Sequence, residues 1–591
     1  MPTKMARPGS CQRATQRAAV EAARVETAAE AYLTLLGERG IDYLFGNGGT
    51  DFASIIDALA HLEATGRKAP RPITVPHETV AGSMAHGFYL VTGRPQLVMV
   101  HVTVGTANLL AAVMNASRSR VPVVFSAGRT PITEKGSPAS RNVHIHWAQE
   151  SFDQASIVRE WVKWDYELRD LAQLETVVDR ALSVAMAEPR GPVYLSLPRE
   201  VLAQRCESFS FRKMPSALAP ELAHERPEGL VEAAEALAQA KNPLIVAGAA
   251  GAFPGTVAEL IRIADTAAIP VVEAPGRNFC NFPTTHPMHV GFNSHELIKE
   301  ADVILVVESG TPWIPAVGEP APGATVISVG MDPLQLRHPI WGYAVDVPIV
   351  CNSRTAIAAL HSELSERLRE RATEVAERRQ RWTQLHERQR AVWRAHAEVV
   401  KGDRPIDPAW VSRCISDVKS ADTICFNEYD LSPLQTEFTE PGTYFGPPSA
   451  GGLGWALGAA LGAKLGAPER TVICAVGDGS YIFGAPSAAH FVARAQNLPV
   501  LFVIFNNQCW GSVKESNRTL HPEGWASRSQ NYPLCDLRPS PDYEKIVEAF
   551  GGYGEKVEDP AEMRLALERA LRVVREEKRQ AVLNVICKYP Q

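Results

Sequence analysis

Gly477-Asp-Gly-Ser480 follows directly on the apolar run Thr471-Val-Ile-Cys-Ala-Val476, and Asn506-Asn507 follows directly on Val500-Leu-Phe-Val-Ile-Phe505. Twenty-six residues separate Gly479 from Asn506, and they read as a helix and the second strand. Two apolar strands joined through a helix are parallel neighbours in a doubly wound sheet, and such sheets bind ligands beyond the carboxyl ends of their strands. Both polar motifs are therefore predicted at one edge of one sheet. The residue types suit a diphosphate held through a hard cation. Asp478 offers a carboxylate, Asn507 an amide oxygen and Cys509 a backbone carbonyl, and oxygen ligands are what magnesium prefers. Gly477 and Gly479 let the backbone approach phosphate oxygens closely, and the helix expected from Ser480 offers its first amides. A lone Gly-Asp-Gly is common in turns; its pairing with Asn-Asn, each at a strand end, gives the signal its specificity.

The same alternation extends along the chain. Strands are predicted at Ile73-Thr-Val75, Gln96-Leu-Val-Met-Val-His101, Val121-Pro-Val-Val-Phe-Ser126 and Gly191-Pro-Val-Tyr-Leu-Ser-Leu-Pro198, with helices over Val25–Arg39 and Phe52–Leu62. After a polar, proline-bearing stretch near 205–225, a second set follows at Pro243-Leu-Ile-Val-Ala247, Ile269-Pro-Val-Val272, Asp302-Val-Ile-Leu-Val-Val307 and Thr325-Val-Ile-Ser-Val329. Residues 354–400 are charged and helical, with acids interleaved among the bases, which reads as a solvated connector and not a nucleic-acid surface. Strands alternating with helices of 10–15 residues predict an α/β chain of three doubly wound parallel-sheet domains.

Composition excludes several classes. With 591 residues, 45% hydrophobic content and a net charge of -6, the chain is long enough for three cores and gives no electrostatic reason to bind nucleic acid. Ten cysteines are scattered without a Cys-x-x-Cys pair, so a disulfide framework is not expected and a reducing, cytoplasmic setting fits. No apolar run reaches the ~18 residues that span a bilayer. Lys4, Arg7, Arg13 and Arg17 precede the first acid, Glu21. That stretch reads as an N-terminal extension, with an organelle transit peptide as the alternative.

The stretch from Gly477 to Asn507 resembles the fingerprint of thiamine-diphosphate enzymes. Pro441-Gly-Thr-Tyr-Phe445, Ser449-Ala-Gly-Gly-Leu-Gly-Trp-Ala-Leu457 and Asn507-Gln-Cys-Trp-Gly511 are similar to the benzoylformate decarboxylase branch, and the first domain is more like the acetolactate synthase branch of this pyruvate oxidase-like family. The resemblance implies a pyrimidine-binding domain over 25–205 after an extension at 1–24, a central α/β domain over 225–353, a charged helical connector over 354–404 and a diphosphate-binding domain over 405–591. It makes Glu78, at Pro76-His-Glu78 between a strand and a helix, the glutamate that contacts the cofactor's aminopyrimidine and helps remove the thiazolium C2 proton. Without the third-domain motif, Glu78 would read as a helix-start acid.

Further positions follow from the resemblance alone. Gly49 ends the substrate-side glycine turn, Asn108 lies in the G-x-x-N segment, and Gln149 matches the family's F-Q-E with Ala148 in place of the Phe. Leu453 takes the place of the bulky residue that bends the cofactor; Ser480, Trp510 and Gly511 complete the cofactor contacts. His77, His101, His144 and His146 lie near these segments of the first domain. His77 and His146 are candidate proton donors or contacts to a substrate carboxylate, with His144 and His146 expected on one side of a strand. The middle segments Phe282-Pro-Thr-Thr-His-Pro-Met-His-Val-Gly291 and Val306–Trp313 depart from the flavin-binding synthases, so FAD is doubtful.

The resemblance thus implies a thiamine-diphosphate- and Mg2+-dependent carbon–carbon lyase or transferase. The first expectation is an acetolactate synthase-like decarboxylase or carboligase acting on a small 2-oxo acid. The alternatives are a benzoylformate decarboxylase-like enzyme, a 2-hydroxyacyl thioester lyase and a non-catalytic homologue. It also implies a homodimer or homotetramer whose active site lies between subunits, with neither nucleic acid nor membrane as partner.

Overall fold

The computed structural model describes residues 19–213 and 227–589. The basic residues Lys4, Arg7, Arg13 and Arg17 and the second half of the predicted linker lie outside them. The chain forms two compact units, one built from the first domain together with residues 448–467, the other from residues 227–447 and 468–589.

In the first unit, β1 (Val20–Arg24) pairs with the distant β8 (Ser208–Arg212). Residues expected in the N-terminal extension and in the linker thus form a small antiparallel ribbon. The main sheet holds β2 (Tyr43–Gly46), β3 (Arg71–Thr74), β4 (Leu97–Val100), β5 (Val124–Arg129), β6 (Asp165–Glu167) and β7 (Val193–Pro198), all parallel, in the order β3-β2-β4-β5-β7-β6. Its inner strands are buried along their length, as a parallel sheet covered on both faces requires. The helix Glu78–Thr92 starts after the extended His77 and ends at Gly93, whose φ of 68° closes it by returning its N–H to the Tyr89 carbonyl.

That helix packs on Trp455–Gly466, a helix of the third sequence domain that belongs to this unit. The contact runs through glycines four residues apart. A Cβ on Gly458 would lie 2.7 Å from the Val80 carbonyl oxygen, one on Gly462 1.9 Å from that of Met84, and one on Gly87 1.9 Å from that of Ala459. Only hydrogen at these positions allows the two backbones to meet. The predicted diphosphate domain 405–591 therefore gives up this helix to the other unit.

In the second unit, β9 (Pro243–Ala247), β10 (Val271–Glu273), β11 (Val303–Val307), β12 (Thr325–Gly330) and β13 (Val347–Val350) form a parallel sheet in the order β10-β9-β11-β12-β13. Helix Ser353–Arg367 buries Ala356, Ile357, Leu360 and Leu364 in its core, and Trp382 of helix Ala372–Val400 joins them. Much of the expected solvated connector is thus part of the central domain, because its sparse apolar residues fall on one face. The third sheet comprises β14 (Ile424–Glu428), β15 (Tyr444–Phe445), β16 (Val472–Gly477), β17 (Leu501–Asn506), β18 (Tyr553–Val557) and β19 (Ala581–Ile586), parallel in the order β15-β14-β16-β17-β19-β18. Arg277, buried, binds Glu273 Oε2 at 2.9 Å and lies 4.3 Å from the Tyr444 ring centroid, which ties the central sheet to the third. The three doubly wound parallel sheets are those read from the sequence. No helix of the described residues is long and apolar enough to cross a membrane.

Candidate functional site

The second unit carries the Gly-Asp-Gly and Asn-Asn motifs. β16 and β17 pair in register up to Gly477 and Phe505, so Gly477-Asp-Gly479 and Asn506-Asn507 emerge side by side at the carboxyl edge of the sheet. Asp478 is buried, and the backbone N–H groups of Gly479, Gln508 and Asn507 approach its carboxylate, joining the two motifs directly. Its Oδ2 has no hydrogen-bond partner. Burial pushes Asp478 up to about 6. Asp430, just past β14, is pushed up to about 7 by burial and by Asp478, and its Oδ2 would lie 2.9 Å from a Cβ on Gly477. Two neighbouring carboxylates with an unsatisfied oxygen make a place that a cation relieves.

The donor set around it is oxygen. Asn507 Oδ1 accepts the Cys509 N–H at 3.0 Å and the Cys509 thiol at 3.3 Å, and a hard cation would displace the weaker thiol contact. The Cys509 thiol is pushed up to about 11, by burial first, so its carbonyl and not its sulfur suits a hard ion. Trp510 lies against the turn: a Cβ on Gly479 would meet its ring at 2.6 Å. Gly511 packs against the Tyr589 ring, whose hydroxyl donates to the Gly511 carbonyl. Ser480 is buried within the short helix Asp478–Phe483. These residues fit a magnesium diphosphate.

The first unit carries Glu78 and the polar residues around it. Glu78 is 8% exposed and begins its helix. Asn47 Nδ2 donates to its Oε1 at 2.8 Å and Asn108 Nδ2 donates to its Oε2, so one amide holds each carboxylate oxygen. Beside it, His101 Nδ1 is 2.5 Å from Asp51 Oδ1, and Gln149 Nε2 is 3.1 Å from His101 Nε2. The Asp51 hydrogen bond raises the His101 pKa, with the charges of Asp51 and Glu78 acting the same way. Gly49 is the floor under this ring: a Cβ there would lie 2.1 Å from His101 Nδ1. Gly128 does the same for Asp51, at 1.8 Å from Oδ2. Val102, immediately after His101, has a φ of 32°, strained for a β-branched residue. Such strain gathers where a neighbouring side chain must be aimed.

The other expected residues divide. Leu453 is half-buried beside Gly452, which exchanges two hydrogen bonds with the Asn115 side chain. His77 caps the Glu78 helix in sequence but makes no side-chain cap bond, and its Nδ1 is buried without a partner. His146 lies in the short helix Ile145–Ala148, not on a strand, because the loop turns there. Its Nδ1 takes the Asn142 N–H at 3.3 Å, and burial followed by Arg199 and Arg141 lowers its pKa. That is the setting of a neutral ring. The histidine whose cationic form the surroundings favour is His101, which sequence reading placed near the site without a role. Asp51 and Asp430 went unnoticed there, and Asn47 entered only as part of the Gly46-Asn-Gly-Gly49 turn, though each follows a strand or its turn, the position at which polar residues reach a sheet edge.

Fold and half-sites together define a thiamine-diphosphate enzyme with carbon–carbon lyase or transferase chemistry. The chain belongs to the thiamine pyrophosphate enzyme family: the family's N-terminal TPP binding domain matches residues 26–157, its central domain 230–360 and its C-terminal TPP binding domain 430–585. Among relatives, benzoylformate decarboxylase of Pseudomonas aeruginosa is 29% identical over 83% of this chain and 88% of its own length. The acetolactate synthase isozyme 3 large subunit of Escherichia coli is 25% identical over 93% and 92%. The solved thiamine diphosphate-dependent 4-hydroxybenzoylformate decarboxylase of Rhodococcus jostii RHA1 shares the fold with a TM-score of 0.72 at 23% identity, over 95% of this chain and 99% of that one.

Proposed function

We propose that the chain is a magnesium- and thiamine-diphosphate-dependent decarboxylase of a small 2-oxo acid, which returns a proton to the carbon that has lost carbon dioxide. The observation that carries this reading is His101 clamped by Asp51 next to Glu78. A ring whose cationic form is favoured attracts the carboxylate of an arriving 2-oxo acid, and Nε2 holds the proton to be returned. Gln149 faces that nitrogen and serves either protonation state by turning its amide. Bound thiamine diphosphate supplies an electron sink for the carbanion. Glu78 holds and exchanges a proton at the aminopyrimidine nitrogen, with Asn47 and Asn108 fixing its two oxygens. Asp478, Asn507 and the Cys509 carbonyl would hold magnesium, Gly477, Gly479 and Ser480 would receive the diphosphate, and Leu453 would pack against the cofactor.

Acetolactate synthase-like carboligation, the first expectation from the sequence, becomes the second reading, favoured by the near full-length similarity to the Escherichia coli synthase. The same reading includes a cytoplasmic homodimer or homotetramer, with the halves that serve one cofactor coming from two subunits. The described cysteines, all free thiols, support the compartment.

Protein supplied with thiamine diphosphate and Mg2+ is incubated with aliphatic and aromatic 2-oxo acids, and carbon dioxide and organic product are measured. Free aldehyde supports decarboxylation with proton return. Acetolactate from pyruvate establishes carboligation instead, and no carbon dioxide from any acid overturns both.

A further inference from the structure

β19 is apolar at Ala581, Val582, Leu583 and Val585, yet Asn584 stands among them with no exposure at all. Its side chain belongs to a buried polar chain. Asn584 Nδ2 donates to Glu544 Oε2 at 2.8 Å; Asn506 Nδ2 donates to Asn584 Oδ1 at 2.9 Å and to Ser540 Oγ at 2.8 Å; and the Gln508 N–H donates to Asn506 Oδ1 at 3.2 Å. Asn506 is also fully buried, and Glu544 is nearly so. Buried polar groups cost free energy unless each is satisfied, so a chain of them inside a sheet calls for a purpose.

We propose that Glu544 is a positioning residue for the metal turn, acting through Asn584 and Asn506. A carboxylate only accepts hydrogen bonds, whereas an amide both donates and accepts. Glu544 therefore obliges Asn584 to point its NH2 at the carboxylate and its oxygen at Asn506. That oxygen obliges Asn506 to do likewise, and the Asn506 oxygen arrives at the Gln508 N–H. Gln508 has a φ of 59°, a left-handed turn that sets its neighbours Asn507 and Cys509. One acceptor-only group, two side chains away, thus fixes which end of each amide faces the turn. The inference rests on the assignment of Asp478 and Asn507 to magnesium.

The test uses the full chain and Mn2+ as a paramagnetic probe, titrated in the presence of thiamine diphosphate. Glu544→Gln keeps the shape but lets both amides reverse. Partners of metal ligands are worth roughly 10–100-fold in affinity, so the Mn2+ dissociation constant should rise by about that factor while the melting temperature of the metal-free protein holds. The double variant Glu544→Gln/Asn584→Asp moves the acceptor-only group next to Asn506, where it again dictates the direction of that amide, and it should recover the affinity. Asp478→Ala separates the two layers. If it leaves Mn2+ binding intact, the metal assignment itself is wrong. If it abolishes binding while Glu544→Gln changes nothing, or the double variant fails to rescue, the positioning role is overturned.

Discussion

Asp51 and His101 are fifty positions apart in the chain, and their side chains meet at 2.5 Å between Oδ1 and Nδ1. The contact holds the imidazole with Nε2 facing Gln149 and favours its charged form. Asp51 is buried and His101 only partly so, which leaves the ring as the accessible member.

The first expectation is a pH profile. Because the His101 pKa is raised, the cation persists above the usual ~6.5, and activity that needs it falls as pH rises through the raised value. In Asp51→Asn the alkaline limb of kcat/KM should move to lower pH. His101→Ala should lower aldehyde formation by roughly 10²–10⁴-fold. An unmoved limb in Asp51→Asn would remove His101 from the chemistry.

Glu78→Gln should keep thiamine diphosphate bound and lose turnover by at least about 10²-fold, the low end of a proton-transfer contribution. Calorimetric affinity and steady-state rates on the same preparation check the two halves of that statement. Near-normal rates would refute the assignment.

Gly462→Ala places a methyl group onto the Met84 carbonyl and should destabilise the protein by about 1–3 kcal/mol, as overpacking does. Gly342→Ala, where a Cβ meets nothing within 4 Å, is the control and should stay within about 0.5 kcal/mol. Thermal and denaturant unfolding report both.

Glu273→Ala leaves the Arg277 cation buried without its carboxylate and should cost about 3–5 kcal/mol. Replacing the pair together, Glu273→Leu with Arg277→Met, should cost clearly less, since no unpaired charge remains. Equal losses would mean that the ion pair itself, not its imbalance, carries the stability.

The sheets were legible in the sequence because buried parallel strands must be apolar along their length, as Val472–Val476 and Leu501–Phe505 are. That the Gly-Asp-Gly and Asn-Asn motifs meet was legible because polar residues at the ends of such strands share an edge. The remainder depended on contacts without a local pattern. Asp430 reaches Gly477 from another strand, and His101 rather than His146 received an acid. The charged stretch after 353 concealed a few apolar residues that complete the central core.

What the sequence by itself determined is the α/β class, the place of the Gly-Asp-Gly and Asn-Asn turns and the position of Glu78 at a helix start. Each follows from periodicity and strand ends, which are properties of neighbouring residues. What only the tertiary structure decided is which side chains share a hydrogen bond: Asp51 with His101, Asn47 and Asn108 with Glu78, and Glu544 with Asn584. Those pairings are fixed by how helices and strands pack across long separations, and packing depends on shape and volume that a single chain of letters does not display.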